Sequence, residues 1–240
     1  MPPRKTVAIR NLSATLVSQI SAAVFFLAVA LLPSLRVSIA ATPTPQEDVL
    51  SRPAAISDRS LAASSAFEEA LQVSGVPGGA ALVEGCADEP KAMVHPDGAT
   101  LRQVLDSIIS GDSHYVWRMH KGVVNLEPAN GVPALLKMHL KTYDSKDLTD
   151  AISAVTFMSS LPAVARAAAG LGLTHNALGP GLGAMGQSPP SPQKPLGVRL
   201  HDVTVLDALN TIARANKHGV WTYRETNCGS VHQFIMSFAQ

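Results

Sequence analysis

Two stretches of the chain repeat each other without a gap. Residues 100–117, TLRQVLDSIISGDSHYVW, align with residues 204–221, TVLDALNTIARANKHGVW, and six of the eighteen positions are identical. Both copies end in tryptophan, and Trp117 and Trp221 are the only tryptophans in the chain. The copies share a starting threonine, an apolar pattern at helical spacing and the beginning of a strand, which a folding unit must keep. The repeat therefore predicts one structural unit that is used twice.

The helix in each copy has a clear start. Thr100 and Gln103 form a capping box, in which the hydroxyl and the amide each satisfy a backbone N–H group at the helix start. Thr204 and Asp207 are predicted to cap the second helix in the same way. Apolar residues at spacings of three and four then indicate one buried helix face. These residues are Leu101, Val104, Leu105 and Ile108 in the first copy, and Val205, Ala208, Leu209 and Ile212 in the second.

Each repeat leads into a pair of strands. In the first copy, residues 115–119 and 123–126 are predicted to form a hairpin around Lys121 and Gly122. In the second copy, an insertion of ten to twelve residues that holds Cys228 separates the two strands. Further strands are predicted at 79–85, 91–95, 135–143, 197–200, 220–223 and 233–238, and further helices at 58–71 and from 148 through 157.

The helix that begins at Leu148 is expected to be capped by Asp144 and Asp147. Pro162 is expected to kink or restart this helix, and Gly170 lies near its end. Together the elements predict an α+β protein of two related βαββ-type modules, each a small mixed sheet packed by helices. The predicted boundaries are 1–40 for a signal peptide, 41–57 for a flexible lead-in, 58–130 for the first module, 131–175 for the strand and helix of the second, 176–197 for a Pro- and Gly-rich loop, and 198–240 for the remainder of the second.

The first forty residues have the three-part layout of a signal peptide. A basic start with Arg4 and Lys5 precedes an apolar run at 20–32, and Ser38 and Ala40 form a small-x-small cleavage site. The apolar run is shorter than the about 20 residues that a membrane span needs. We therefore expect cleavage after Ala40, a periplasmic or secreted protein and no stable membrane insertion afterwards. The alternative is an uncleaved N-terminal anchor.

The charge of the chain changes once this leader is set aside. The full chain has 19 basic and 18 acidic residues, for a net charge of +1. Four of the basic residues lie in the leader, which leaves 15 basic against 18 acidic residues and a net charge of −3. A mildly acidic chain without a basic stripe argues against nucleic-acid binding.

The chain has two cysteines, Cys86 and Cys228. Two cysteines in an exported protein are expected to form a disulfide. Because this bond would close a long loop, it should stabilise the folded protein by several kcal/mol. The alternative is two buried free thiols.

The first copy resembles a known family. The pattern T-L-x-x-V-L-D-x-I at 100–108, followed by Tyr115-Val-Trp and Gly122-Val-Val-Asn-Leu, is similar to the short N-terminal domain (STN) of secretins and TonB-dependent receptors. The same half-motif is similar to one at the C-terminal end of FecR-type anti-sigma regulators. The resemblance covers 58–128 and 134–238 as two degenerate copies, and it implies an envelope module that binds other proteins. The copies adjoin each other instead of a secretin barrel, receptor plug or regulator membrane segment, so no partner contact is transferred to a named residue.

Three polar patterns in the sequence are candidates for chemistry. Gly181, Gly183 and Gly186 match G-x-G-x-x-G, but the surrounding prolines forbid the helix that a dinucleotide site needs, so a flexible loop is predicted. His114, His120 and His218 are candidates for a metal site. The alternative for His114 and His218 is that they follow their helices closely, where the negative end of the helix dipole favours a positive charge. Asp106 is a candidate for a catalytic carboxylate pair with Asp144 or Asp147, although all three positions are more typical of caps and helix surfaces.

Four strand aromatics form the candidate partner face. Tyr115, Trp117, Trp221 and Tyr223 alternate on predicted strands, where they line a binding surface or fill the core. The sequence favours a non-enzymatic envelope module that binds a protein or peptide, with no cofactor and with strand addition as one mode. The alternatives are a secreted hydrolase-like enzyme with a site between the modules, and a small-ligand-binding protein that uses the aromatic face.

Overall fold

A computed structural model describes residues 49–54, 56, 60–86, 93–176 and 195–240. The predicted signal peptide, most of the lead-in, the glycine motif at 181–186 and most of the Pro- and Gly-rich loop lie outside the described residues. The described residues have the predicted α+β composition, and they fall in one compact unit.

Six helices and ten strands have their bounds within the described residues. The helices are α1 (Ala63–Ser74), α2 (Leu101–Gly111), α3 (Ala134–Lys137), α4 (Ala151–Ser159), α5 (Pro162–Gly170) and α6 (Val205–Asn216). The strands are β1 (Leu61–Ala62), β2 (Gly78–Glu84), β3 (Met93–Val94), β4 (Tyr115–His120), β5 (Val123–Pro128), β6 (His139–Asp144), β7 (Thr174–His175), β8 (Arg199–Thr204), β9 (Val220–Cys228) and β10 (Val231–Ala239).

One six-stranded sheet contains strands from both halves of the chain, in the order β4-β5-β2-β9-β10-β7. In the first half, from β1 to β5, β4 is antiparallel to β5, and β5 is parallel to β2. In the second half, from α3 to β10, β9 is antiparallel to β10, and β10 is parallel to β7. Two small antiparallel sheets, β1-β3 and β6-β8, complete the halves. The order and direction of pairing are therefore the same in both halves.

The sequence predicts a separate small sheet for each module, but the structure has one sheet that both halves share. The strands β2 and β9 pair in parallel over seven residues, from Gly78 opposite Val220 to Glu84 opposite Thr226, and this ladder joins the halves. The edge of a small sheet exposes unpaired backbone groups, and pairing the two edges satisfies them. Sequence periodicity marks the strands but does not show which edges meet.

Helices cover the shared sheet on both faces. Along β5, Val124 and Leu126 belong to the core cluster that α1 and α2 pack, whereas Val123 belongs to the cluster that α4 and α6 pack. Neighbouring residues of a strand point to opposite faces, so the helices of the two halves lie on opposite sides of the sheet. The largest fully buried side chains in the two clusters include Phe67, Leu71, Leu105, Ile108, Tyr143, Trp221, Tyr223 and Phe234.

The two repeated helices begin as predicted. The Thr100 hydroxyl accepts a hydrogen bond from the Gln103 N–H at 3.4 Å, and the Gln103 side-chain oxygen accepts one from the Thr100 N–H at 3.1 Å. The Thr204 hydroxyl accepts from the Asp207 N–H at 3.0 Å. Lys121 and Gly122 both have positive φ. Positive φ at both central residues is typical of the two-residue hairpin turns whose twist matches that of the flanking strands.

Three predicted elements differ in the second half. Helix α4 is capped by Asp150, which accepts from the Ser153 N–H, because Asp144 instead accepts from the Lys146 N–H at 3.0 Å in the turn after β6. Residues 134–137 are helical, and the strand begins only at 139. The expected insertion around Cys228 extends β9 and β10 to nine residues each, joined at Gly229 and Ser230. Pro162 restarts the helix as α5, as predicted.

Candidate functional site

The four aromatic residues of the predicted partner face do not share a surface. Trp221 and Tyr223 are 0% exposed and belong to the core that α6 covers. The prediction is wrong for these two residues, because β9 lies in the interior of the six-stranded sheet with helices over that face. Tyr115 and Trp117 are half-buried on β4, at the end of the sheet. The part of the face that remains accessible is therefore on the first half.

Each tryptophan lies against the capped helix of its own half, as the repeat predicts. The indole Nε1 of Trp117 donates to Asp106 on α2 at 2.9 Å. The guanidinium carbon of Arg102, one turn earlier, lies 5.6 Å from the centre of the ring. The Nε1 of Trp221 donates to Asn210 on α6, also at 2.9 Å. Both indoles are thus fixed at equivalent positions of the repeat.

The outer edge of β4 has no strand partner among the described residues. Alternate residues of an antiparallel strand direct their backbone groups to opposite sides. The His114 carbonyl accepts from the Ala129 N–H at 2.8 Å, which assigns the even-numbered residues 116–120 to the β5 side. Tyr115, Trp117 and Met119 therefore direct their backbone N–H and C=O groups toward the open edge. This edge is a surface for backbone pairing.

A buried carboxylate holds β4 against β5. Glu127 on β5 is 2% exposed. One of its oxygens lies 2.7 Å from Nε2 of His120, and the other lies 3.4 Å from Nε of Arg118. Both partners come from β4, so these contacts fix the strand without using its outer edge. The edge is therefore presented on a rigid element.

A cleft of about 490 Å³ opens beside the first residues of β4. Its polar groups include Glu84, Asp112, His114 and Tyr115. Asp112 accepts from the His114 N–H at 3.1 Å and lies 2.8 Å from Nδ1 of the same residue. Burial, followed by the carboxylates of Glu84 and Asp112, raises the pKa of Tyr115 to about 12. This side chain is thus a neutral hydrogen-bonding group at physiological pH.

A second, smaller cleft of about 280 Å³ lies between the halves. Val83 and Asn130 line both clefts, while Leu173 and Glu225 line the smaller one from the second half. Glu225 accepts from the Tyr223 hydroxyl at 2.7 Å, and burial together with this contact raises the pKa of Tyr223. The titratable groups near the junction are therefore mostly engaged in pairs.

The disulfide between Cys86 and Cys228 is present, which confirms the predicted pairing. Cys86 lies two residues beyond the end of β2, and Cys228 ends β9. Because β2 and β9 are parallel neighbours, the bridge ties the two halves together at the carboxyl ends of these strands. Such a bond is typical of an oxidising compartment.

The other polar candidates are dispersed. Among residues 49–54, 56, 60–86, 93–176 and 195–240, no three His, Cys, Asp or Glu side chains group as a metal site. His114 and His120 pair with Asp112 and Glu127, and His218 lies beside Gly75. The carboxylates of the catalytic hypothesis also have separate roles, since Asp106 binds the Trp117 indole and Asp144 lies 3.3 Å from Arg199. Asp147 is exposed between β6 and α4.

The sequence patterns for chemistry do not include the cleft residue Asp112. Its signal lay in the repeat, where Asp112 corresponds to Asn216 at the same offset that relates Trp117 to Trp221. Asn216 also hydrogen-bonds near its own histidine, donating to the His218 carbonyl. The pairing of an Asp or Asn with the residue two positions later thus recurs in both copies.

Over the described part of the chain, no single helix is long and apolar enough to cross a membrane, and α4 and α5 pass that test only together, across a bend of 53°. Comparison of the chain with family models, with curated proteins and with solved structures finds no match.

Proposed function

We propose that this protein is an exported, non-enzymatic interaction module that binds an extended segment of a partner protein along the open edge of β4. The single observation behind the proposal is the position of β4 at the end of the sheet, with three residues directing backbone groups outward. Backbone pairing at a sheet edge supplies affinity, and side chains beside it supply specificity.

The same pairing already occurs inside the molecule. β9 corresponds to β4 in the repeat, and its outer edge is occupied by β2. The matching strand order of the halves, the matching caps and the matching indole contacts support two degenerate STN-like modules in tandem. In this proposal, the second module has its strand partner within the chain, and the first module takes one from another protein.

An exported location fits this role. The proposed leader at 1–40 directs the chain to the periplasm or outside the cell, where the Cys86–Cys228 bond is stable. Mass spectrometry of the protein isolated from its host should find Ala41 as the first residue. A chain that retains residues 1–40 would instead support the N-terminal anchor.

Amide hydrogen exchange tests whether the edge is free. In the unbound protein, the amides of Trp117 and Met119 should exchange much faster than those of Val116 and Arg118, which face β5. Equal protection of all four amides would mean that the edge is already covered, and it would contradict the proposal.

Photo-crosslinking in the native envelope tests partner binding. A photoreactive residue at Arg118 on β4 should crosslink to one defined protein, whereas the same residue at Val73, which is exposed on α1, should not. The amides of Trp117 and Met119 should become protected when that partner is added in purified form. Crosslinking that is equal at both positions would count against a site at β4.

The cleft beside β4 is where the hydrolase-like alternative would act. It would require Asp112 and His114 to work on a substrate, because these are the paired titratable residues that line the cleft. Hydrolysis of an ester or peptide substrate that disappears in Asp112→Asn, with β4 crosslinking unchanged, would favour the enzyme.

A further inference from the structure

The β2-β9 ladder shows in atomic detail what the outer edge of a repeat accepts. β2 runs parallel to β9, with Gly79 opposite Trp221 and Ala81 opposite Tyr223. The Gly78 N–H donates to the Gly219 carbonyl at 3.2 Å, so the even-numbered residues of β2 bond to β9. Gly219 corresponds to Tyr115 on β4.

The residue opposite Trp221 must be glycine. A Cβ added to Gly79 would lie 1.9 Å from Cε2 and 2.2 Å from Nε1 of the Trp221 indole. The indole does not have room to move, because it is fully buried and its Nε1 donates to Asn210. The ring thus occupies the space that a side chain on the neighbouring strand would need.

Trp117 is held in the same way at the open edge. Its indole donates to Asp106 at the same 2.9 Å, and Asp106 occupies the position of Asn210 in the repeat. Arg102 packs on the ring from the same helix. Because the two indoles make the same hydrogen bond from equivalent strands, the Trp117 ring should lie against a strand that pairs with β4, as the Trp221 ring lies against Gly79 of β2.

We propose that the β4 edge selects a partner segment that runs parallel to β4 and has glycine opposite Trp117. This inference rests on the proposed function, and it adds the direction, the register and one required residue. By the register of β2 on β9, five partner residues lie opposite Val116 to His120, and the second of them is the glycine.

The neighbouring glycine of β2 provides a matched control. A Cβ on Gly78 would lie 2.0 Å from Cδ1 of Leu71 and 2.8 Å from the Val124 carbonyl oxygen. Leu71 lies on α1 and Val124 on β5, so both contacts come from the half of the chain to which β2 itself belongs. In the described part of the chain, no counterpart of Leu71 or Val124 lies beside the outer edge of β4, so we expect only the position of Gly79 to be restricted in a segment bound there.

The test uses the intact, oxidised protein and a synthetic peptide with the sequence of residues 76–84, Val-Pro-Gly-Gly-Ala-Ala-Leu-Val-Glu. Binding is measured by calorimetry, and its site is located by protection of the Trp117 and Met119 amides. We expect the Gly78→Ala peptide to bind within twofold of the parent and the Gly79→Ala peptide to bind at least tenfold more weakly. A Trp117→Ala protein should bind the parent and Gly79→Ala peptides equally.

The outcomes separate this inference from the proposed function. If the Gly79→Ala peptide protects the β4 amides as well as the parent does, the edge binds strands but the glycine rule is overturned. The rule is also overturned if no peptide binds while the crosslinked natural partner protects β4. If neither the peptides nor a natural partner protects the β4 amides, both the glycine rule and the proposed function are overturned.

Discussion

The Nε1 of Trp221 donates to the side-chain oxygen of Asn210 across 2.9 Å in the core. The Asn210 amide nitrogen has no hydrogen-bond partner among the residues that the structure describes. Trp117 and Asp106 form the same contact nearer the surface. Trp221→Phe should lower the free energy of unfolding by about 3 kcal/mol, since it leaves a buried acceptor unpaired and removes packing. Trp117→Phe should cost about 1 kcal/mol or less. Urea unfolding checks both, and equal losses would show that burial does not distinguish the two sites.

Gly79→Ala should destabilise the protein strongly. The added methyl group would collide with the buried Trp221 ring, and overpacking of this kind costs about 3 kcal/mol. Gly170→Ala is the control, because a Cβ there would meet no atom of the described residues within 4 Å and the residue is helical. That change should leave stability the same or raise it by about 1 kcal/mol or less. Thermal unfolding of both variants gives the comparison.

Removal of the disulfide should be costly. The bond closes a loop with a sequence separation of 142, for which loss of chain entropy in the unfolded state gives about 5 kcal/mol. The Cys86→Ser/Cys228→Ser double variant should unfold at lower urea, and added reductant should move the native protein to the same midpoint. A native protein that does not respond to reductant while unfolding reversibly would contradict this assignment.

Alkaline pH should lower the stability of the protein through its buried tyrosines. The pKa of Tyr115 is raised to about 12 from an ordinary value of 10, so the folded state retains a proton that the unfolded state loses. The stability from this group is complete below pH 10 and falls as the pH rises toward 12. Tyr115→Phe should flatten that decline, as followed by unfolding at several pH values. Tyr223, whose pKa is also raised, should contribute in the same direction.

The repeat carried most of what the sequence could predict. Thr100, Gln103 and Thr204 act through neighbours three residues away, so their roles are visible in the sequence itself. The hairpin at Lys121 and Gly122 is equally local. Contacts of this range depend on spacing alone and need no knowledge of the tertiary structure.

The candidate site depends on contacts that are distant in the sequence. Whether an aromatic side chain faces a partner or the core is decided by the strand beside it, and Gly79 lies 142 positions from Trp221. The repeat makes Trp117 and Trp221 look alike, yet among the described residues a strand, β2, lies along the outer edge of β9 and none lies along the outer edge of β4. The α4 cap was predicted wrongly for a related reason, since Asp144 lies in a strand that pairs with β8.

The bond between Cys86 and Cys228 makes a closed covalent ring of the chain between these residues. A protease that cuts once within this ring, including anywhere in 177–194, leaves the molecule in one piece until a reductant is added. A single cut in this ring would therefore neither release β4 nor separate it from β9.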